Sequence, residues 1–417
     1  MKENTNIKQV LFNKRRLICI LTGFSSGLPL YILIALLPAW LRSNNVDLKA
    51  IGLFALIQLP FTWKFLWAPI FDRYTLPLGR RRGWLILSQI ALLLTIPTFG
   101  FLHPTLDLLT IAALASVVAF FSASQDIVLD AYRRELLLDT ELGLGNSIHV
   151  NAYKIAGLIP GSLSLILADH LPWHQVFIVT ALFMLPGIAM TLCVSEPQLI
   201  QGTPKTLRAA VTEPFQEFIN RNGLKSALFI LAFIFLYKLG DSMATALATP
   251  FYLDLGFSKT EIGLVAKNAG LWPSVIGGLL GGIWMIKLGI NRALWLFGLI
   301  QMLAILGFYE LAVLGHSLPG LAIAISIEAL GVGLGTAAFV AFIAHTTHPL
   351  YTATQFALFT SLAAIPRTFA NSITGYLVDY FGWQMFFLVC FICAVPGMLL
   401  LIKIAPWNSA YIVTDKN

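Results

Sequence analysis

The chain has 417 residues, 58% of them hydrophobic and only 11% charged, and its mean hydropathy is +0.80. Soluble globular domains carry roughly 25% charged residues, so this composition excludes one and leaves no region over for a soluble domain. The net charge of +7 would suit nucleic acid if its cations were clustered on one surface, but they are distributed by side, as set out below.

Twelve apolar stretches follow one another: 17–41, 50–71, 83–102, 108–131, 147–168, 174–194, 225–253, 261–287, 292–315, 318–345, 353–378 and 383–404. Each is near the roughly 20 residues a helix needs to cross a ~30 Å hydrocarbon core. Internal prolines such as Pro29, Pro60, Pro160 and Pro273 would break soluble helices but are tolerated in membrane spans. The expected fold is an all-α polytopic membrane protein with an N-terminal six-helix bundle (1–194), a linker (195–224) and a C-terminal six-helix bundle (225–417). The linker is richer in Glu, Pro, Lys and Arg than its surroundings, and 205–221 spaces Leu207, Val211, Phe215 and Phe218 among charges, as an interfacial helix does.

With the N-terminus placed inside, 19 Lys and Arg fall on the inner side, three (Arg42, Lys49, Lys259) on the outer side and five within spans. That bias predicts both termini in the cytoplasm. The first 16 residues hold no cleavage-type pattern, so the first span is expected to be a retained anchor. Cys19, Cys193, Cys390 and Cys393 all sit in apolar spans without neighbouring ligand types, so neither a disulfide framework nor a metal site is expected.

The second six spans repeat the first at an offset of about 210 residues. Leu167-Ala168-Asp169 through Trp173 to Phe177 reads against Leu377-Val378-Asp379 through Trp383 to Phe387. Asp47–Leu53 likewise matches Ser258–Leu264, each opening on a helix N-cap type. An even number of spans per half makes the halves parallel repeats, the architecture of a transporter that rocks about a site between them.

Ionisable groups inside spans cost on the order of 2.5–3.5 kcal/mol each and mark function or pairing. Here they are Lys64, Asp126, Asp130, Lys154, Lys238, Asp241, Lys267, Glu310, Glu328 and Arg367, while the third, sixth and twelfth spans have none in their interiors. This distribution points to a polar path along the remaining helices. Asp126 and Asp130, four apart, share a helix face with Ser122 and the Arg133/Arg134 pair. Mutual repulsion of such acids suits a proton-coupling group; Asp130 is otherwise an ion-pair partner of Arg133 or Arg134. Lys238 and Asp241 are either an internal ion pair or functional, and Glu328 is either a proton site or the partner of a cation on another helix. Lys64, Lys154, Lys267 and Arg367 are either contacts for an anionic cargo or partners for those carboxylates, and Lys238 is a further candidate contact. Tyr31, Tyr237 and Trp272 are either stacking surfaces for sugar rings or members of the interfacial aromatic belt. No hydrolase triad, zincin spacing or phosphate-cradling loop is present in an aqueous position, so an enzyme is not expected; His170 and His174 lack the Glu of a zincin.

After the second span comes Asp72-Arg73-Tyr74-Thr75-Leu76-Pro77-Leu78-Gly79-Arg80-Arg81-Arg82-Gly83-Trp84. An Asp at the helix end with an Arg cluster resembles the conserved loop of the major facilitator superfamily. The resemblance implies that Asp72, with Arg73, Arg80, Arg81 and Arg82, gates the cytoplasmic side. The counterpart Lys287–Arg292 keeps cations but lacks the acid. More narrowly, Gly23–Leu30, Lys64–Pro69, Gly79–Trp84 and Ser122-Ala123-Ser124-Gln125-Asp126-Ile127-Val128-Leu129-Asp130-Ala131 resemble AmpG-type muropeptide permeases. The last element is also similar to acetyl-CoA transporters, and the second half resembles the permeases mainly in layout. The resemblance implies a monomeric, proton-driven importer of anhydromuropeptides in the bacterial inner membrane, serving cell-wall recycling and β-lactamase induction. Its partners would be a sugar-peptide, protons and the bilayer, with no cofactor and no nucleic acid. Carriage of another anionic metabolite or a siderophore, or drug efflux, is the alternative within transporters.

Overall fold

The computed structural model describes residues 13–46, 57, 59–197, 206–258 and 261–408, and of these the side chains of 263 and 366–372 are left outside the description. The Asp47–Leu53 repeat element and the side chain of Arg367 therefore lie outside the described residues. Regular structure in the described part is helical; the one β-type contact is an isolated bridge between Leu76 and Gly79. Lipid satisfies no backbone polar group, so apolar runs of this length have the helix as their stable form.

Among the described residues, nine helices are long and apolar enough to cross a membrane. One of them, Leu264–Leu314, contains two expected spans, because the helix Lys267–Leu314 is broken at Gly289, whose φ is 74°. The helix Thr352–Ile404 is likewise divided at Gly382, with φ 72°. Both glycines hold left-handed backbone that other residues adopt only with strain, and each falls between two expected spans. The second span is present from Leu59 to Arg73 but is interrupted by a 3₁₀ turn at Lys64–Leu66. This arrangement is consistent with twelve spans.

Several spans are not straight helices. π-helical turns occupy Ile32–Leu36 in the first, Ile159–Leu163 in the fifth and Ile262–Ala266 in the eighth. Pro29 and Pro160 sit at or just before the first two, where a missing N–H loosens the ladder. The seventh span breaks at Lys238 (φ −101°, ψ 0°) and again at Leu247 (φ −112°, ψ 25°). The eighth opens with a reciprocal capping box, Ser258 Oγ accepting from Glu261 N at 3.2 Å while the Glu261 carboxylate accepts from Ser258 N at 2.7 Å.

The described helices form two compact units. The first contains residues up to Asp139, Ile148–Phe215 and Thr347–Ser361; the second contains Thr140–Ser147, Gln216–Thr346 and the chain from Leu362. Each unit thus includes a short stretch at the start of a span whose remainder lies in the other. In the first unit, Trp40 is fully buried against Phe99, Trp173 and Phe177. In the second, Phe251 packs on Phe308, Trp383 and Phe387. Trp173/Phe177 and Trp383/Phe387 are the matched positions of the sequence repeat, and each pair closes on an aromatic at the far end of its unit's opening span. Edge and tilted aromatic contacts of this kind add about 0.5–1.5 kcal/mol per pair beyond burial.

Candidate functional site

Helical spacing gathers polar side chains inside the first unit. Thr22, Ser25 and Ser26 are buried in the first span, and Ser122, Gln125 and Asp126 are buried in the fourth, Leu108–Leu136. Ser26 Oγ makes a short hydrogen bond to Asp126 Oδ1, and Gln125 Nε2 donates to the Ser25 carbonyl at 2.7 Å. A serine hydroxyl both donates and accepts, so Ser26 can hold Asp126 in either protonation state. Asp130, one turn on, has different partners: Arg133 Nη2 at 2.8 Å and the buried Lys64 Nζ at 3.8 Å. The turn at Lys64–Leu66 places that cation opposite the acid. Trp67 Nε1 donates to Ser124 Oγ at 3.1 Å.

The shared face of Asp126 and Asp130 thus divides into a hydroxyl-bound acid and a doubly ion-paired one. Arg134 pairs instead with Asp139 at 3.1 Å. The charge inventory did not single out His149, whose Nδ1 lies 3.1 Å from Thr22 Oγ1, or Asn151, whose two amide atoms are buried without hydrogen-bond partners. An uncharged polar residue in an apolar run was the signal available for both. Tyr31 meets Tyr153 with ring centroids 5.8 Å apart, and Lys154, next in sequence, is half-buried.

A second cluster forms at the end of the first unit that carries the Asp72–Arg82 loop. Arg81 is fully buried, and its Nη2 reaches Asp72 Oδ1 at 2.8 Å, Glu135 Oε1 at 2.7 Å and Thr352 Oγ1 at 2.6 Å. Its Nη1 donates to the Phe71 carbonyl at 3.1 Å. Burial alone would lower the Arg81 pKa, but Glu135 and Asp72 outweigh it and hold the guanidinium above its ordinary value. Arg80 pairs with Glu135 at 2.6 Å and approaches Asp72 at 3.7 Å.

The other Asp72 oxygen accepts from Thr354 N and Thr354 Oγ1, both at 2.8 Å, while Oδ1 also accepts from Ala353 N at 3.3 Å. Asp72 therefore caps the helix that begins at Thr352, where free N–H groups and the helix dipole favour a carboxylate. Glu196 does the same for the third span, accepting from Arg81 N at 2.6 Å and Arg82 N at 3.1 Å. Arg82 covers the last carbonyls of the sixth span, at Thr191 and Leu192. Arg73 lies over the Tyr74 ring, 5.4 Å from its centroid. Glu135, Glu196, Thr352 and Thr354 were not foreseen as members of this cluster.

The second unit holds a smaller polar group. Lys238 and Asp241 form an ion pair at 3.6 Å, beside Tyr237, whose hydroxyl donates to the Leu294 carbonyl at 3.0 Å. The Tyr237 ring stacks on Phe339 at 5.4 Å and 12°. Glu328 is buried in the tenth span, Leu318–Thr346, whereas Lys267 and Trp272 are exposed on the eighth.

The sequence model of the Major Facilitator Superfamily matches residues 19–252 and 230–410. The chain is 51% identical over 413 residues to an uncharacterized protein of Haemophilus influenzae, covering 97% of each. It is 42% identical over 391 residues to the anhydromuropeptide permease of Escherichia coli K12, covering 93% of this chain and 79% of the relative. Among solved structures, the major facilitator transporter FucP in its outward conformation superposes with a TM-score of 0.70 at 12% identity, covering 93% of this chain and 98% of that one, a likeness of fold. The chain belongs to the major facilitator superfamily and, within it, to the family of the anhydromuropeptide permease.

Proposed function

We propose that this protein is a proton-coupled importer of anhydromuropeptides, carrying N-acetylglucosaminyl-anhydro-N-acetylmuramic acid and its peptides inward across the bacterial inner membrane for cell-wall recycling. The observation that carries the reading is the buried acid pair of the fourth span, Ser26–Asp126 beside Lys64–Asp130–Arg133, in a chain 42% identical to a permease named for that cargo. Asp126 takes up and releases the proton, with Ser26 serving both its states. Asp241 and Glu328 are the corresponding acids of the second half. Asp130 keeps the Lys64 and Arg133 charges in place.

Lys154, Lys238, Lys267 and Arg367 receive the peptide carboxylates, and Tyr31, Tyr237 and Trp272 receive the sugar rings. The Asp72–Arg81–Glu135 cluster, bonded to Thr352 and Thr354, is the cytoplasmic latch, with both termini on that side. Energy comes from the proton gradient without a cofactor, and no enzymatic step is involved. The test is uptake of labelled cargo by cells with and without a protonophore. Accumulation that collapses with the gradient supports the reading, and accumulation indifferent to it removes the proton from the mechanism.

A further inference from the structure

Within the second unit, the ninth span contributes a residue that the charge inventory passed over. Gln301 is only 4% exposed, yet neither its Nε2 nor its Oε1 has a hydrogen-bond partner. It lines a recess with Tyr237 and Asp241 of the seventh span, Gly298 and Met302 of its own, and Met398 of the twelfth. A buried amide left unbonded is costly, and native structures answer that cost with a partner or an ordered water.

The recess has the size and polarity for such a water. The part of it open to a water-sized molecule holds about one. Its polar lining residues are Tyr237, Asp241 and Gln301, and the Tyr237 oxygen keeps a free lone pair after donating to Leu294. Lys238 does not satisfy Asp241 by a hydrogen bond, since the pair stands at 3.6 Å and Lys238 Nζ has no hydrogen-bond partner. Gly298 keeps the space open: a Cβ there would lie 2.7 Å from the Tyr237 oxygen and 2.6 Å from the Met398 sulfur.

We propose that the recess is a binding site for a single ordered water that joins the Asp241 carboxylate to the Gln301 amide, tying the ion pair of the seventh span to the ninth. The inference concerns the second unit alone and holds whatever the cargo is.

Met398 is a built-in reporter, because hydroxyl radicals formed from a bound water by a brief X-ray pulse oxidise the side chain beside it. The full-length protein in lipid nanodiscs would be exposed and its methionines quantified by mass spectrometry, with Met285, buried in the same unit and outside the recess, as the reference. Oxidation of Met398 should exceed that of Met285 several-fold and fall to the Met285 level in Gly298→Ala, which fills the recess. Gln301→Leu, which removes one anchor of the water, should lower it as well. Equal oxidation of Met398 and Met285 in the unaltered protein, or an unchanged ratio in Gly298→Ala, would overturn the site. Should both variants misfold, an experimental map of the unaltered protein at a resolution that shows waters decides: density within hydrogen-bond reach of Asp241 and Gln301 supports the proposal, and an empty recess refutes it.

Discussion

Replacing Asp72 by alanine removes one arm of the Arg81 ion pair and three hydrogen bonds, from Ala353 N, Thr354 N and Thr354 Oγ1. Breaking a buried pair from one side costs about 3–5 kcal/mol. Two features favour the lower end: Arg81 keeps Glu135 and the Phe71 carbonyl, and the freed amides at the start of the helix can take up water once the contact opens. A loss of about 3 kcal/mol between latched and unlatched states changes their ratio about 150-fold. Asp72→Asn retains an acceptor for the Thr354 amide but not the charge, and should cost about half as much, near tenfold. The assay is alkylation of a cysteine introduced at Ala131, which is fully buried in the fourth span, in a background lacking the native cysteines. Labelling should accelerate in the order unaltered, Asp72→Asn, Asp72→Ala. Identical rates in all three would leave Asp72 as a helix cap with no part in gating.

Asp126→Asn should abolish gradient-driven accumulation while leaving expression, insertion and gradient-free exchange intact; normal accumulation with an unchanged pH dependence would move the coupling group to Asp241 or Glu328. Arg367→Gln should raise the half-saturating concentration for peptide-bearing cargo about ten- to 150-fold, the equivalent of one charge-assisted contact of ~1.5–3 kcal/mol, and do less to the bare disaccharide. Equal losses for both cargoes would count against carboxylate recognition there. Reporters fused after Glu196 and His103 should read as cytoplasmic and periplasmic respectively, and the reverse result would invert every assignment of side.

Much of the fold is legible because membrane spans declare themselves by length and hydropathy, and because the repeat aligns Trp173 and Phe177 with Trp383 and Phe387, the residues that pack at matched places. The turns at Gly289 and Gly382 fell in the short gaps between expected spans. The interruption of the second span at Lys64 was not legible, since local φ/ψ there answers to tertiary contacts of a cation that needs an acid.

The site was legible where charge marks it and obscure elsewhere. The spacing of Asp126 and Asp130 sets them one helical turn apart on the fourth span, but their separate partners come from Ser26, about 100 residues away, and from Lys64. Asp72 and the arginines stood out as a motif, whereas Thr352 and Thr354 lie some 280 residues further on and offer only a hydroxyl and the free amides of a helix start. His149, Asn151 and Gln301 carry no formal charge, so charge does not mark them in the sequence. In an apolar span a lone amide or imidazole is itself the anomaly, because lipid offers it no partner.

The central claim is cargo and direction together. Tritiated N-acetylglucosaminyl-anhydro-N-acetylmuramic acid, with and without its peptide, would be presented to right-side-out and inverted membrane vesicles holding this protein, each with a proton gradient imposed from the face that the cargo approaches. Accumulation in right-side-out vesicles under an inward gradient, lost on collapse of that gradient and absent in Asp126→Asn, is the expected result. Failure to accumulate either compound in right-side-out vesicles while the protein is folded and inserted, or net extrusion of cargo under the same gradient, would contradict the account.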